Sequence, residues 1–68
     1  MPEKVYKKVE IVGSSPRSVS DAIENASRKA SETIRNMDWF EVGEIRGFFM
    51  NDQPVYQVTL KVGFRLDE

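Results

Sequence analysis

Side chains able to run acid–base or nucleophilic chemistry are scarce in this chain, which has no histidine and no cysteine. The usual general bases and thiol nucleophiles are therefore absent, and no G-x-S-x-G, Walker or G-x-G-x-x-G pattern is present. Ser14, Ser15, Ser18, Ser20, Ser27 and Ser31 have no evident base partner and read as turn and helix-surface residues. What remains is recognition chemistry. The single tryptophan, Trp39, stands in the run Asp38-Trp39-Phe40-Glu41-Val42, and Gln57 stands with Thr59, Lys61 and Arg65 on the polar side of an alternating strand. Ten Lys and Arg against eleven Asp and Glu, spread along the whole length, argue against a nucleic-acid footprint.

The elements that must position these residues follow from size and periodicity. With 68 residues and 40% apolar content, residues 1–68 form one domain. A core this small supplies little net stability without a staple. Disulfides are excluded, zinc lacks soft ligands, and oligomerisation is the remaining candidate. No run approaches the length of a membrane span and no basic segment followed by an apolar run opens the chain, so a cytoplasmic protein that engages no membrane is expected.

Residues 4–12 alternate Val5, Val9 and Ile11 against Tyr6, Lys8 and Glu10, which predicts a first strand. The stretch 13–16 (GSSP) reads as a turn. Ser18 and Asp21 resemble a capping box with Asp in place of Glu, and apolar residues at 19, 22, 23, 26, 30, 34 and 37 predict a helix that ends near Asn36 in a left-handed cap. Residues 39–50 and 55–66 are rich in aromatic and β-branched residues and predict two further strands joined by a turn over 51–54. The fold class is α+β: β-α-β-β, a three-stranded antiparallel sheet packed on one helix, with at least one edge strand needing a partner.

In the third strand Tyr56, Val58, Leu60, Val62, Phe64 and Leu66 must face the helix. The second strand is less decisive, because a β-bulge at one of its glycines would switch faces midway. With Phe40 and Val42 inward, Trp39 and Gln57 both point away from the helix. A hairpin centred on Asp52, with Met50 facing Pro54, sets Gln57 opposite Gly47 and Trp39 opposite Arg65. That separates Trp39 from Gln57 by about 26 Å at 3.3 Å per residue. One chain cannot bring both to one small ligand, so a site containing both needs two or more chains. Spacing alone leaves Trp39 as a subunit-contact residue and Gln57 as a solvated strand position.

The motifs Asp38-Trp39-Phe40-Glu41-Val42, Glu44-Ile45-Arg46-Gly47, Tyr56-Gln57-Val58 and Val62-Gly63-Phe64-Arg65-Leu66, with the opening Val5-Tyr6-Lys7-Lys8-Val9-Glu10 and Val12-Gly13-Ser14-Ser15, resemble bacterial dodecins over nearly the whole chain. The resemblance implies a hollow homo-oligomer, a dodecamer, that holds flavins at subunit interfaces for storage or buffering and is not a turnover enzyme. It implies that Trp39 residues of two symmetry-related chains enclose paired flavin rings and that Gln57 of another chain meets the pyrimidine edge. The ligand expected is FMN, or riboflavin or FAD. Indole suits stacking on an electron-poor ring, and a carboxamide matches an adjacent acceptor and donor. Arg46 and Arg65 become candidates for the FMN phosphate, against surface ion pairs with Glu41, Glu44 or Asp67. Arg65 shares the Trp39 face directly, whereas Arg46 needs a bulge or a position beyond the end of the helix. Asp38 either orients the Trp39 segment or is a solvated turn residue. A second ligand such as coenzyme A at other interfaces stays open. The competing readings are a ligand-free structural or protein-interaction oligomer and a small flavin-dependent redox enzyme.

Overall fold

The computed structural model describes residues 3–67. Strand β1 (Tyr6–Ser15) is followed by helix α1 (Val19–Ala30), then β2 (Met37–Met50) and β3 (Gln53–Arg65). The sheet is antiparallel with order β1-β3-β2, so the most regularly alternating strand lies in the centre. The α+β architecture expected from the alternation is the one observed.

The helix begins where Ser18 accepts the Asp21 N–H at 2.9 Å. The reciprocal half of the capping box does not form, because the Asp21 carboxylate accepts the Ser15 hydroxyl at 2.6 Å instead. That hydrogen bond is the main reason the Asp21 carboxyl is held below its usual range, with Arg17 adding to it. Ser15 is buried and also accepts the Arg17 N–H, tying the end of β1 to the start of α1.

Ala22, Ala26 and Ala30 form the buried stripe of α1. Ala22 and Ala26 meet Val58, Leu60 and Val62 of β3, with Val9, Ile11, Val19 and Ile23 packed around them. β1 does not turn at Gly13 as expected but runs on through Ser15. Gly13 serves a close approach instead: a methyl group there would fall on the Ala22 carbonyl and lie 2.7 Å from the Ala26 Cβ.

The helix is shorter than its apolar spacing suggested. It stops at Ala30, where the Ser31 N–H bonds Ser27 and Lys29 carbonyls and the Ser31 hydroxyl bonds the Arg28 carbonyl at 2.7 Å. Local bonding by such a hydroxyl competes with helix continuation. Asn36 does take the left-handed region, φ 62°, but as the corner leading into β2 and not as the helix cap.

The hairpin register also differs. Asn51 and Asp52 both have positive φ, 50° and 63°, the requirement of a two-residue type I′ turn, so Met50 pairs with Gln53 and not Pro54. A bulge between Val42 and Ile45 shifts the pairing once more. Trp39 therefore lies opposite Gly63, not Arg65, and Gln57 lies opposite Arg46, not Gly47.

A 12-residue helix is about 18 Å long, while the β2-β3 ribbon of 14 and 13 residues runs about 45 Å. The helix thus covers only part of the ribbon, and β2 contributes no residue to the buried core.

Candidate functional site

Directly opposed residues of an antiparallel pair share a face, so Phe40 and Val42, opposite Val62 and Leu60, turn toward the helix layer. Trp39 and Glu41, opposite Gly63 and Lys61, turn away from it. The bulge at Gly43 and Glu44 then inverts the alternation. Ile45, opposite the buried Val58, comes back to the helix layer, and Arg46 joins Gln57 on the far face. All four candidate residues, Trp39, Gln57, Arg46 and Arg65, therefore belong to one face of the sheet.

The chain gathers them in two groups at opposite ends of that face. Trp39 and Arg65 lie at the end where the chain enters β2, and Arg46 and Gln57 are cross-strand neighbours near the hairpin tip. Gly63 and Gln57 are six positions apart on β3, about 20 Å. This shortens the separation expected from the sequence and leaves its consequence standing: Trp39 and Gln57 of one chain do not meet on one small ligand.

Trp39 is held in an orienting clamp. A Cβ built on Gly63 would meet Cε2, Cζ2 and Cη2 of the indole at nearly equal distances, which puts the ring's face over the glycine. The opposite ring face is turned outward, and Trp39 keeps 37% of its surface exposed. Tyr6 meets the ring edge-on, with centroids 5.3 Å apart at 66°. The indole Nε1–H donates to Glu41 at 3.1 Å, and Lys8 Nζ lies 3.0 Å from the same carboxylate. Lys8 and Trp39 flank Gly63 on either side, so the Lys8–Glu41 bridge crosses the central strand beside a position with no side chain, while the Trp39–Glu41 bond stays within β2. The Lys8 hydrogen bond first and the Trp39 hydrogen bond second hold the Glu41 carboxyl below its usual range.

Tyr6, Lys8, Glu41 and Gly63 were not singled out as site residues from the sequence. The alternation of β1 puts Tyr6 and Lys8 on one face, but their approach to Trp39 depends on the β1-β3 register, for which no short turn gives a signal.

Arg46 and Arg65 do not form the surface ion pairs considered for them among the described residues. Glu41 is taken by Lys8 and Asp67 by Arg35, at 3.0 and 3.4 Å. The Gln57 carboxamide likewise makes no side-chain hydrogen bond with the described residues. No group of three or more His, Cys, Asp or Glu among the described residues is arranged to hold a metal ion. No helix among the described residues is long and apolar enough to cross a membrane.

The Dodecin family model matches residues 5–67. A dodecin of Thermus thermophilus is 54% identical over 67 residues, which is 96% of each chain. Among solved structures, dodecin from Streptomyces davaonensis superposes with a TM-score of 0.93 at 50% identity, over 98% of this chain and 100% of that one. Dodecin from Streptomyces coelicolor gives 0.92 at 46% identity, over 100% and 99%. With its strand order, its helix and nearly its full length matched, this chain belongs to the dodecin family.

Proposed function

We propose that this chain is a flavin-binding storage or buffering protein without turnover, working as a hollow dodecamer whose binding sites form between subunits. The observation that carries the reading is the clamped indole. Trp39 is oriented by Gly63, Tyr6 and Glu41 with one broad face presented outward, the geometry a planar aromatic ligand needs. Gln57 supplies an unengaged carboxamide on the same sheet face, too distant to serve the same ligand from the same chain. The donor set fits a flavin: a stacking face from Trp39 and a donor–acceptor pair from Gln57 of another copy. Arg65 and Arg46 add positive charge at the two ends. A bound flavin supplies visible colour and redox capacity, and the chain itself contributes orientation and shielding.

The apolar residues that the helix leaves uncovered support assembly. Phe40, Val42, Ile45 and Phe49 form an exposed row on the helix side of β2, with Phe49 79% exposed, and β2 is itself an edge strand with unpaired backbone groups.

The experiment is a titration of added FMN followed by its fluorescence, alongside the absorption spectrum of protein freed of small molecules. Strong quenching is expected, because an indole packed on an excited flavin donates an electron to it. Undiminished fluorescence together with persistently colourless protein would favour the ligand-free oligomer. Substituting Trp39→Ala is expected to abolish most of the quenching while the native mass stays unchanged. Loss of the assembly in that variant would make Trp39 a contact residue only.

A further inference from the structure

The strand that carries Trp39 begins with an extra residue. Met37 pairs with Phe64 and Trp39 with Gly63, so two steps on β2 match one step on β3 and Asp38 is left between the pairs. Residues two apart on a regular strand share a face, yet here Met37 stands with Phe64 on the helix side and Trp39 stands on the far side. Such a bulge bends the strand and re-aims its neighbours. An extra residue can slide along a ladder unless the pairing on both sides of it is fixed. Downstream, the ladder through Phe40 and Val42 fixes it. Upstream, the task falls to the corner residue Asn36. Its carbonyl accepts the Arg65 N–H at 3.1 Å and its side-chain amide donates to the Arg65 carbonyl at 3.3 Å, so one residue holds both polar groups of the Arg65 backbone. The same amide donates to Asp67 Oδ1 at 3.0 Å, which uses both hydrogens of the carboxamide. Arg35 lies 3.4 Å from Asp67 Oδ2, so both carboxylate oxygens are engaged by the two residues at the corner before β2.

We infer that residues 65–67 latch the entry to β2, and that Asn36 and Asp67 are positioning residues for the flavin site: they trap the extra residue at Asp38 and so hold the Trp39 indole in the posture that stacks on a flat ring. Neither belongs to the clamp of Gly63, Tyr6 and Glu41, so their effect reaches the indole through the backbone of residues 37–39. The role in binding rests on the flavin reading above, whereas the latch is a property of the unliganded chain.

Trp39 is the chain's only tryptophan, so its emission reports this segment alone. The test measures acrylamide quenching of that emission in the unliganded protein, then dissociation constants for FMN and riboflavin from quenching of the flavin's own fluorescence. Asn36→Gly is the sharpest variant, because glycine accepts a φ of 62° without strain and the change removes only the carboxamide. Asn36→Gly and Asp67→Ala should each raise acrylamide quenching of Trp39 and weaken FMN and riboflavin by the same factor, about three- to tenfold, the scale of one hydrogen bond. Asp67→Glu keeps the acceptor and should stay close to wild type in both readouts. Native mass and thermal melting establish that each variant is assembled and folded at the temperature of measurement. A latch that serves stability alone would lower the melting temperature and leave acrylamide access and both affinities at wild-type values, and that result would overturn the inference. So would a loss confined to one of the two flavins, which would mean direct contact with the ligand. If wild-type protein binds neither flavin, the flavin reading falls, while acrylamide access still decides whether Asn36 and Asp67 hold the indole.

Discussion

Trp39 owes its posture to a residue with no side chain. Because Gly63 sits directly across the ladder, the indole lies down over the central strand, where Tyr6 meets its edge and Glu41 takes its N–H. In Gly63→Ala the new methyl group occupies the space of the ring. Overpacking of this kind costs about 1–3 kcal/mol. The expected outcome is a displaced indole, read as greater acrylamide quenching of Trp39 emission, and weakened flavin binding. Unchanged quenching would show that the ring does not rest on Gly63.

Glu41 makes the same clamp sensitive to acid. Its carboxyl in the folded chain is held below the usual range, so its contribution is fully present above the ordinary carboxylate pKa. That contribution is lost as pH falls through the lowered folded value. Trp39 emission should therefore stay constant through the ordinary carboxylate range and change only at more acidic pH. Glu41→Gln should remove that late transition, and a transition centred in the ordinary range would contradict the Lys8–Glu41–Trp39 arrangement.

At the scale of the elements, α1 lies close on β1 because small residues meet across the contact. Gly13→Ala would drive a Cβ into the Ala22 carbonyl and the Ala26 side chain, and the backbone partner cannot swing aside as a side-chain tip would. A loss of at least about 1–3 kcal/mol is expected, seen as a lower urea midpoint; an unchanged midpoint would mean that α1 sits further from β1.

Most of this layout was legible from periodicity. The even-numbered apolar residues of β3 identify its buried face, and Phe40 with Val42 orient Trp39 correctly. The bulge was foreseeable without its position: Gly43 and Gly47 both lack a side chain to report a face, and only the observed pairing shows that Val42 and Ile45 both turn to the helix layer. The hairpin register was missed by one step because the left-handed conformations of Asn51 and Asp52 close the turn in two residues. The helix end was missed because Ile34 and Met37 prolong the apolar period beyond the point where Ser31 ends the helix. The Tyr6 and Lys8 contacts join strands separated by the helix in sequence, so nothing local announces them.

The whole molecule is too extended for its length. Its radius of gyration is 14.2 Å, with extents of 55 × 20 × 13 Å, where a compact chain of this size would have about 11 Å. The excess lies in the β2-β3 ribbon, which outruns the helix and exposes Phe49 and Met50 near its tip. A free monomer would keep that apolar row in water, whereas association with other copies would bury it and bring one chain's Trp39 toward another's Gln57. Assembly and ligand site are thus one proposal. Native mass spectrometry with the absorption spectrum recorded on the same particle tests it most directly. The account expects a dodecamer that carries flavin absorbance or takes up added FMN with quenching of its fluorescence. A monomer, or an assembly that stays colourless and leaves FMN fluorescence undiminished, would contradict it.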